Sequence, residues 1–242
     1  MGSTLAGVKA GVIAGLVYIG ALAISNVIVL YASEPDVLTY ITNNFAQVCS
    51  PVPTVNSTTV QDCFASLAPV YLPYVAFIGF IVTLVYSGVF GRFYDLIPGK
   101  SFRFKGLVIA PLVAINLLVF QLVGITFEVS ATVVLMIVLI GSTIAYGLLL
   151  GGLYKRYTRV VQFVSQDESA LKIIVGRSNL TGKSRTFAAK SSHEVRADVA
   201  DDSSFRGWTV SGGVTVEDPK SFETSMEVNG DGLLKALVTK KH

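Results

Sequence analysis

Charge is what this 242-residue sequence has least of. Asp, Glu, Lys and Arg make up 14% of it, against roughly 25% in an ordinary soluble domain. Apolar residues make up 52%, and the mean hydropathy is +0.61. The deficit is uneven: residues 155–242 hold 14 of the 19 basic and 11 of the 16 acidic side chains, leaving five of each for the first 154 positions. That distribution excludes an ordinary soluble enzyme and describes an almost uncharged part followed by a polar tail. The formal charge of +3 belongs to the tail, where both signs are interspersed, so no nucleic-acid partner is expected. Histidine is as scarce. His193 and His242 are the only two, neither has Cys or carboxylates at ligand spacing, and no metal or other cofactor is expected.

What is present is apolar length. A bilayer core needs about 20 helical residues, and four runs reach that, at about 5–32, 70–90, 106–127 and 131–154. Four such runs with no polar face between them are not the buried helices of a soluble core. The first has only Lys9 as a charged leader and is longer than a secretory leader's apolar stretch, which favours an uncleaved helix. Only Glu128, Val129 and Ser130 separate the last two runs, which calls for a tight antiparallel hairpin. The expected fold is therefore a four-transmembrane-helix bundle over residues 1–159, followed by a small antiparallel β domain over 166–242.

Orientation follows from the basic residues, which collect on the cytoplasmic side. Arg92, Lys100, Arg103 and Lys105 lie between the second and third runs, and Lys155, Arg156 and Arg159 follow the fourth. The loop 33–67 has no Lys or Arg. Both termini are thus expected in the cytoplasm of a multi-pass cell-membrane protein, with the loop outside and the basic residues against the lipid headgroups. The only cysteines, Cys49 and Cys63, fall in that external loop, where a disulfide persists. Bridging them closes about 15 residues and contributes about 3 kcal/mol in the chain-entropy account. Between them Pro51, Pro53 and Asn56-Ser57-Thr58 mark an exposed turn with Asn56 as a glycosylation candidate.

The runs also lack acidic residues at depth, which lowers the expectation of a proton-coupled transporter, since buried ionisable groups mark ion and substrate paths. Asn26, Asn116, Gln121, Ser142 and Thr143 are read as interhelical hydrogen-bonding groups, worth about 0.6 kcal/mol each, ahead of a polar lining. Gly7-x-x-x-Gly11-x-x-x-Gly15 and Gly147-x-x-x-Gly151 clear one stripe of side chains for close helix packing. That packing is either internal, the plainer reading, or between subunits of a homo-oligomer. Pro73 and Pro111 are expected near helix starts, where a missing N–H costs little.

In the tail, Leu171–Val175, Glu194–Val199, Trp208–Val210 and Leu233–Val238 are short, β-branched and often alternating. Turns are expected at Thr181-Gly182-Lys183, Asp201-Asp202-Ser203, Ser211-Gly212-Gly213 and Asn229-Gly230-Asp231-Gly232. A domain this small needs large residues in its core; Phe205, Trp208 and Phe222, with Phe187, are the candidates, and 166–242 is expected to fold as a unit. The segments Phe205-Arg206-Gly207-Trp208, Val214-Thr-Val-Glu-Asp-Pro and Val228-Asn-Gly-Asp-Gly-Leu-Leu-Lys-Ala-Leu-Val resemble the divergent internalin-type B-repeat, or bacterial repeat domain. The resemblance covers about 184–239. It implies a compact β-grasp-like module for display and contact, with no catalytic residues.

Catalytic patterns are weak. Gly182-Lys183-Ser184 lacks the upstream glycine of a phosphate loop, and Ser191-Ser192-His193-Glu194 lies along one alternating strand, which turns neighbours to opposite faces. The expected function is a non-enzymatic membrane scaffold or accessory subunit whose β module binds a protein partner. The other class considered is an oligomeric small-solute channel or transporter.

Overall fold

The computed structural model of the chain describes residues 2–32, 34–43, 49, 59–122 and 129–240. The apolar part is helical: α1 (Thr4–Ala32), α2 (Glu34–Asn43), α3 (Val60–Phe93), α4 (Phe102–Leu122) and α5 (Val129–Tyr157), with a 3-10 turn at Tyr94–Leu96 after α3. Among the described residues three stretches are long and apolar enough to cross a membrane: Thr4–Ile24, Ala76–Leu96 and Met136–Tyr157. The expected run 106–127 falls on α4. Its last residues and Glu128 lie outside the described residues.

Helix starts follow local chemistry. Ser3 Oγ accepts the Ala6 N–H at 3.2 Å at the head of α1. Thr59 Oγ1 accepts the Asp62 N–H at 3.2 Å and donates to the Asp62 carboxylate at 2.6 Å, an N-cap with an acid in the first turn. That cap starts α3 at Val60 instead of 70, and α4 starts at Phe102 instead of 106. Pro73 and Pro111, expected near helix starts, therefore lie inside helices, as does Pro69. The region 33–67, expected as a loop, contains α2 and the first turns of α3. Cys49 is bonded to Cys63 of that first part of α3, with Cα atoms 5.9 Å apart.

The chain divides into two compact units. One comprises Met1–Lys9, Gly88–Pro98 and Leu153–His242; the other comprises Ala10–Ser87 and Gly99–Gly152. The first holds a seven-stranded sheet: β1 (Thr158–Ser165), β2 (Leu171–Val175), β3 (Ser178–Asn179), β4 (Ser184–Ala188), β5 (Ser191–Val199), β6 (Ser203–Val216) and β7 (Glu223–Lys240). The order is β3-β2-β5-β7-β1-β4, with β6 on β7. The sheet is mixed, which corrects the expectation of a purely antiparallel domain. β1 runs parallel to β7, from Val161 opposite Gly232 to Ser165 opposite Ala236.

The sheet begins at Thr158, ahead of the expected start at 166, and β1 is an interior strand between β7 and β4. No linker precedes it. The Thr158 hydroxyl donates to the Tyr154 carbonyl at 2.8 Å, and Arg159 Nη1 donates to the carbonyls of Thr158 (2.7 Å) and Arg156 (3.3 Å). These side chains take up carbonyls that the end of α5 leaves without helical partners.

β7 is long enough to serve two leaves. Its first half pairs with β5 and its second with β1, while β6 follows it on the other side. Two of the expected turns lie at this bend. Thr181-Gly182 and Asp201-Asp202 are turns as expected, whereas Gly212-Gly213 and Gly230–Gly232 sit inside β6 and β7 and face each other. A Cβ on Gly213 would strike the Gly230 backbone, and one on Gly232 would strike the Ser211 carbonyl. Glycine here permits close strand approach at a bulge, which the sequence pattern does not distinguish from a reversal. The core between the leaves contains Val161, Phe163, Ile173, Phe187, Trp208, Met226 and Leu234.

An interior strand cannot be removed without exposing both neighbours. A fragment spanning 158–242 should give β circular dichroism and one cooperative melt. A fragment spanning 166–242 should give neither, because β4 and the second half of β7 lose their shared partner. Equal melts for the two fragments would show that β1 is dispensable.

Candidate functional site

The small-residue stripes are used inside the chain. Gly11 of α1 faces Ser87 of α3, and Gly15 faces Thr83, so a Cβ on either would strike those side chains. Likewise, a Cβ on Gly91 of α3 would lie 2.8 Å from the Cα of Gly7. On the other helix pair, Gly106 of α4 meets the backbone of Gly147 and Gly151 of α5, and a Cβ on Gly147 would lie 3.0 Å from that of Ala110. Close backbone approach replaces lost side-chain contact with dispersion between helices. The partner stripe Thr83-x-x-x-Ser87-x-x-x-Gly91 was not singled out from the sequence, although it repeats the four-residue spacing of α1.

Deep among these helices lies a cluster of hydroxyls. The Ser87 hydroxyl donates to the Thr83 carbonyl at 2.6 Å, and the Tyr146 hydroxyl donates to the same carbonyl at 3.2 Å while lying 2.8 Å from Ser87 Oγ. Tyr18 Oη lies 3.4 Å from Thr143 Oγ1, and the Tyr18 and Tyr146 rings are 5.3 Å apart. Polar groups removed from water must bond each other, and these do so across α1, α3 and α5. Ser142 donates to the Leu139 carbonyl of its own helix. The side chains of Asn26, Asn116 and Gln121 lie outside the described residues, as does Asn56. Large apolar side chains such as Leu16, Phe77, Val85, Ile137 and Ile140 face outward.

Within the sheet-bearing unit, a second knot joins the helix ends. The Ser3 N–H donates to Tyr154 Oη at 3.0 Å, and the Tyr154 hydroxyl donates to the Gly91 carbonyl at 3.2 Å. The rings of Phe90, Tyr94 and Tyr154 pack edge-on or tilted with centroids 4.7–5.6 Å apart. From the sheet, the Thr186 hydroxyl of β4 donates to Asp95 Oδ1 at 2.8 Å, and the Ala189 N–H donates to the Tyr157 carbonyl at 2.9 Å. The sheet is thus bonded to the ends of α3 and α5. No spacing in the sequence pairs Asp95 with Thr186.

Of the three predicted β-domain core residues, Trp208 is 5% exposed and in the core, Phe205 is half-buried against it with ring centroids 5.2 Å apart, and Phe222 is 56% exposed. Phe222 is the correction. Its backbone carbonyl accepts the Ala197 N–H at 2.8 Å, so the loop into β7 is anchored through its main chain and the ring points away. The same loop covers Trp208: its Nε1–H donates to the Ser221 carbonyl and its backbone N–H to the Pro219 carbonyl, both at 2.8 Å. Gly207 has φ +152, and a Cβ there would lie 2.9 Å from the Pro219 oxygen. The Gly-Trp pair is thus explained by a loop folding over a strand.

Arg92, Lys100, Arg103, Lys155 and Arg156 are exposed and Arg159 is half-buried. Lys105, expected at the surface with them, is only 8% exposed, in the first turn of α4.

Ser191 has one hydroxyl hydrogen and donates it to the Ala188 carbonyl at 2.6 Å, so at 2.8 Å it accepts from His193 Nε2–H. Burial, and secondarily the neighbouring Arg185, hold the His193 ring below its ordinary pKa of 6.5. Its ring packs on Phe187 at 4.6 Å. An open cavity of about 300 Å³ beside it is lined by Val175, Arg185, Phe187, His193 and Glu194. Among the described residues no three His, Cys, Asp or Glu side chains gather as metal ligands would. No protein-family model, curated protein or solved structure matches the chain.

Trp208→Ala should destabilise the 158–242 fragment by about 3–5 kcal/mol, read as a lowered urea midpoint. A shift within a few tenths of a kcal/mol would make the ring dispensable to the core. The lowered pKa of His193 fixes the sign of a pH effect. Stability from its neutral ring is complete above the unfolded value of 6.5 and is lost as pH falls toward the folded value. Asp167, whose pKa is lowered by hydrogen bonds from Ser169, acts in a separate window below 3.8. Trp208 is the chain's only tryptophan, so its fluorescence reports sheet unfolding in the full protein. The melting temperature should fall between pH 7 and 5, and His193→Gln should flatten that step. A step of unchanged size in the variant would assign it elsewhere.

Proposed function

We propose that this chain is a non-enzymatic integral membrane scaffold or accessory subunit. In this reading four helices cross the bilayer, α4 being the one added to the three long apolar stretches. Both termini and the sheet lie in the cytoplasm, and residues 33–67 lie outside with their disulfide and Asn56. The sheet is a display module that binds a protein partner, in keeping with the B-repeat-like segments over 184–239. One observation carries the reading: α5 passes into an interior strand of the sheet without a linker, and the ends of α1, α3 and α5 share one compact unit with it. A module mounted this way presents a fixed surface at the membrane, which suits assembly more than reach.

The interior of the helices supports an anchor over a channel. Their hydroxyls bond one another and the glycine stripes bring backbones together, which leaves those faces packed. The outward apolar side chains suit lipid. A partner is most naturally taken by the leaf of β2, β5 and the first half of β7, where Glu194, Asp198, Glu223 and Glu227 are exposed.

Topology and function are tested together. In a background with Cys49→Ser and Cys63→Ser, an impermeant maleimide on intact cells should label Ser57→Cys and miss Ser178→Cys, which becomes reactive after lysis. The purified protein in vesicles should give no ion or small-solute flux, and a co-purifying partner should be lost on combining Glu194→Lys with Glu227→Lys. Labelling of position 178 on intact cells would put the sheet outside. Reproducible flux would favour the channel.

A further inference from the structure

We propose that the cavity in the sheet beside His193 is a binding site for a small zwitterion of the amino-acid class. β4 and β5 follow one another in the chain but do not pair: β4 ends the strand order on β1, and β5 lies between β2 and β7. The Phe187 and His193 rings meet across the gap between them, 4.6 Å apart. The cavity of about 300 Å³ opens there, lined by Val175, Arg185, Phe187, His193 and Glu194. Register fixes which side of each strand faces it, since opposite residues share a face. Arg185 pairs with Val161 and Val175 with Val195, both core residues, so Arg185 and Val175 lie on the core side. His193 is two positions from Val195 and shares its side. Four side chains from three strands thus converge at one end of the core. Glu194 alternates with buried Val195 and is exposed, which puts it at the lip.

The lining carries one charge of each sign and an apolar wall. Arg185 is half-buried, with its guanidinium carbon 5.4 Å from the centre of the Phe187 ring. An arginine held against an aromatic ring presents a planar fork of donors that matches a carboxylate. His193 gives its Nε2–H to Ser191 Oγ at 2.8 Å, which leaves Nδ1 of the neutral ring as an acceptor. Burial first, and Arg185 second, hold that ring below its ordinary pKa of 6.5, so the acceptor persists at pH 7. Nδ1 and the Glu194 carboxylate together suit an ammonium group, which brings three N–H donors. Val175 and the Phe187 ring take a short apolar or aromatic body. A simple anion would meet Glu194 and a simple cation would meet Arg185, whereas a zwitterion satisfies both. The volume lies at the small end of ligand pockets, which fits a single amino acid better than a peptide. The site lies wholly within the sheet and needs neither the helices nor a partner protein.

The test titrates the full chain in mild detergent at pH 7 by calorimetry, each probe against a detergent blank. L-Phenylalanine and L-leucine carry both charges, phenylpropionate only the carboxylate and phenethylamine only the ammonium. At least one of the two amino acids should give a saturable one-site isotherm, and the single-charge probes should bind about tenfold more weakly or worse. Arg185→Gln and Glu194→Gln should each weaken the amino acid by a similar factor, and Arg185→Lys by less, because it keeps the charge and loses the fork. Glu194 is exposed, so Glu194→Gln should keep the wild-type melt of Trp208 fluorescence, which separates lost binding from lost fold. Phenylpropionate binding as tightly as the amino acid would make this an anion site, and phenethylamine doing so a cation site, each against the proposal. No saturable heat with either amino acid up to tens of millimolar would overturn it. So would an unchanged isotherm in both Arg185→Gln and Glu194→Gln.

Discussion

The absence of any linker between α5 and β1 constrains everything after residue 157. A helix ends by leaving its last carbonyls without partners, and here the next side chains, Thr158 and Arg159, supply donors at once. The chain emerges already extended, and the strand it forms becomes an interior member of the sheet. β7 must then run parallel to it while still reaching β5, which obliges the β6–β7 ribbon to bend. Gly212, Gly213 and Gly232 are what allow that bend, because a Cβ on any of them would strike backbone across the ribbon, and a Cβ on Gly230 would lie 3.1 Å from the Gly213 Cα. The mixed order of the strands reflects where the sheet starts, while Trp208 is covered separately by the loop between β6 and β7.

The helices answer a different constraint. With few charges and no polar face, they gain little by burying apolar surface against one another when lipid is equally apolar. Their association depends on close packing and on satisfying the few polar atoms they carry. Gly11 against Ser87 and Gly106 against Gly147 provide the first, and the Tyr146–Ser87–Thr83 hydroxyls the second. In the sheet-bearing unit Tyr154 repeats the device, linking Ser3 to Gly91 while its ring packs on Phe90 and Tyr94. Hydroxyls on large aromatic side chains recur because one residue then gives both packing area and a hydrogen bond.

The sheet is tied to the helix ends by covalent continuity at residues 157–158 and by the Asp95–Thr186 bond. The leaf with exposed Glu194, Asp198, Glu223 and Glu227 and the leaf with half-buried Val160, Val164 and Leu233 are parts of one sheet, yet they differ in surface chemistry. A bend in β7 separates them.

Composition and run length alone determined that the first part is helical and apolar and that the tail is β, since hydropathy and strand alternation are local properties. They also determined the cysteine pair, because the chain holds only two. The Gly7, Gly11 and Gly15 stripe was legible for the same reason, as one helix turn repeats every four residues. Only the tertiary structure decided which helix fills that stripe, that Pro73 and Pro111 lie inside helices, and that Phe222 points outward while Lys105 is covered. It alone decided that two glycine clusters are facing bulges and not turns, and that β1 belongs to the sheet. Each of these depends on what lies opposite in space, and a residue's opposite neighbour is set by distant chain that the local pattern does not contain.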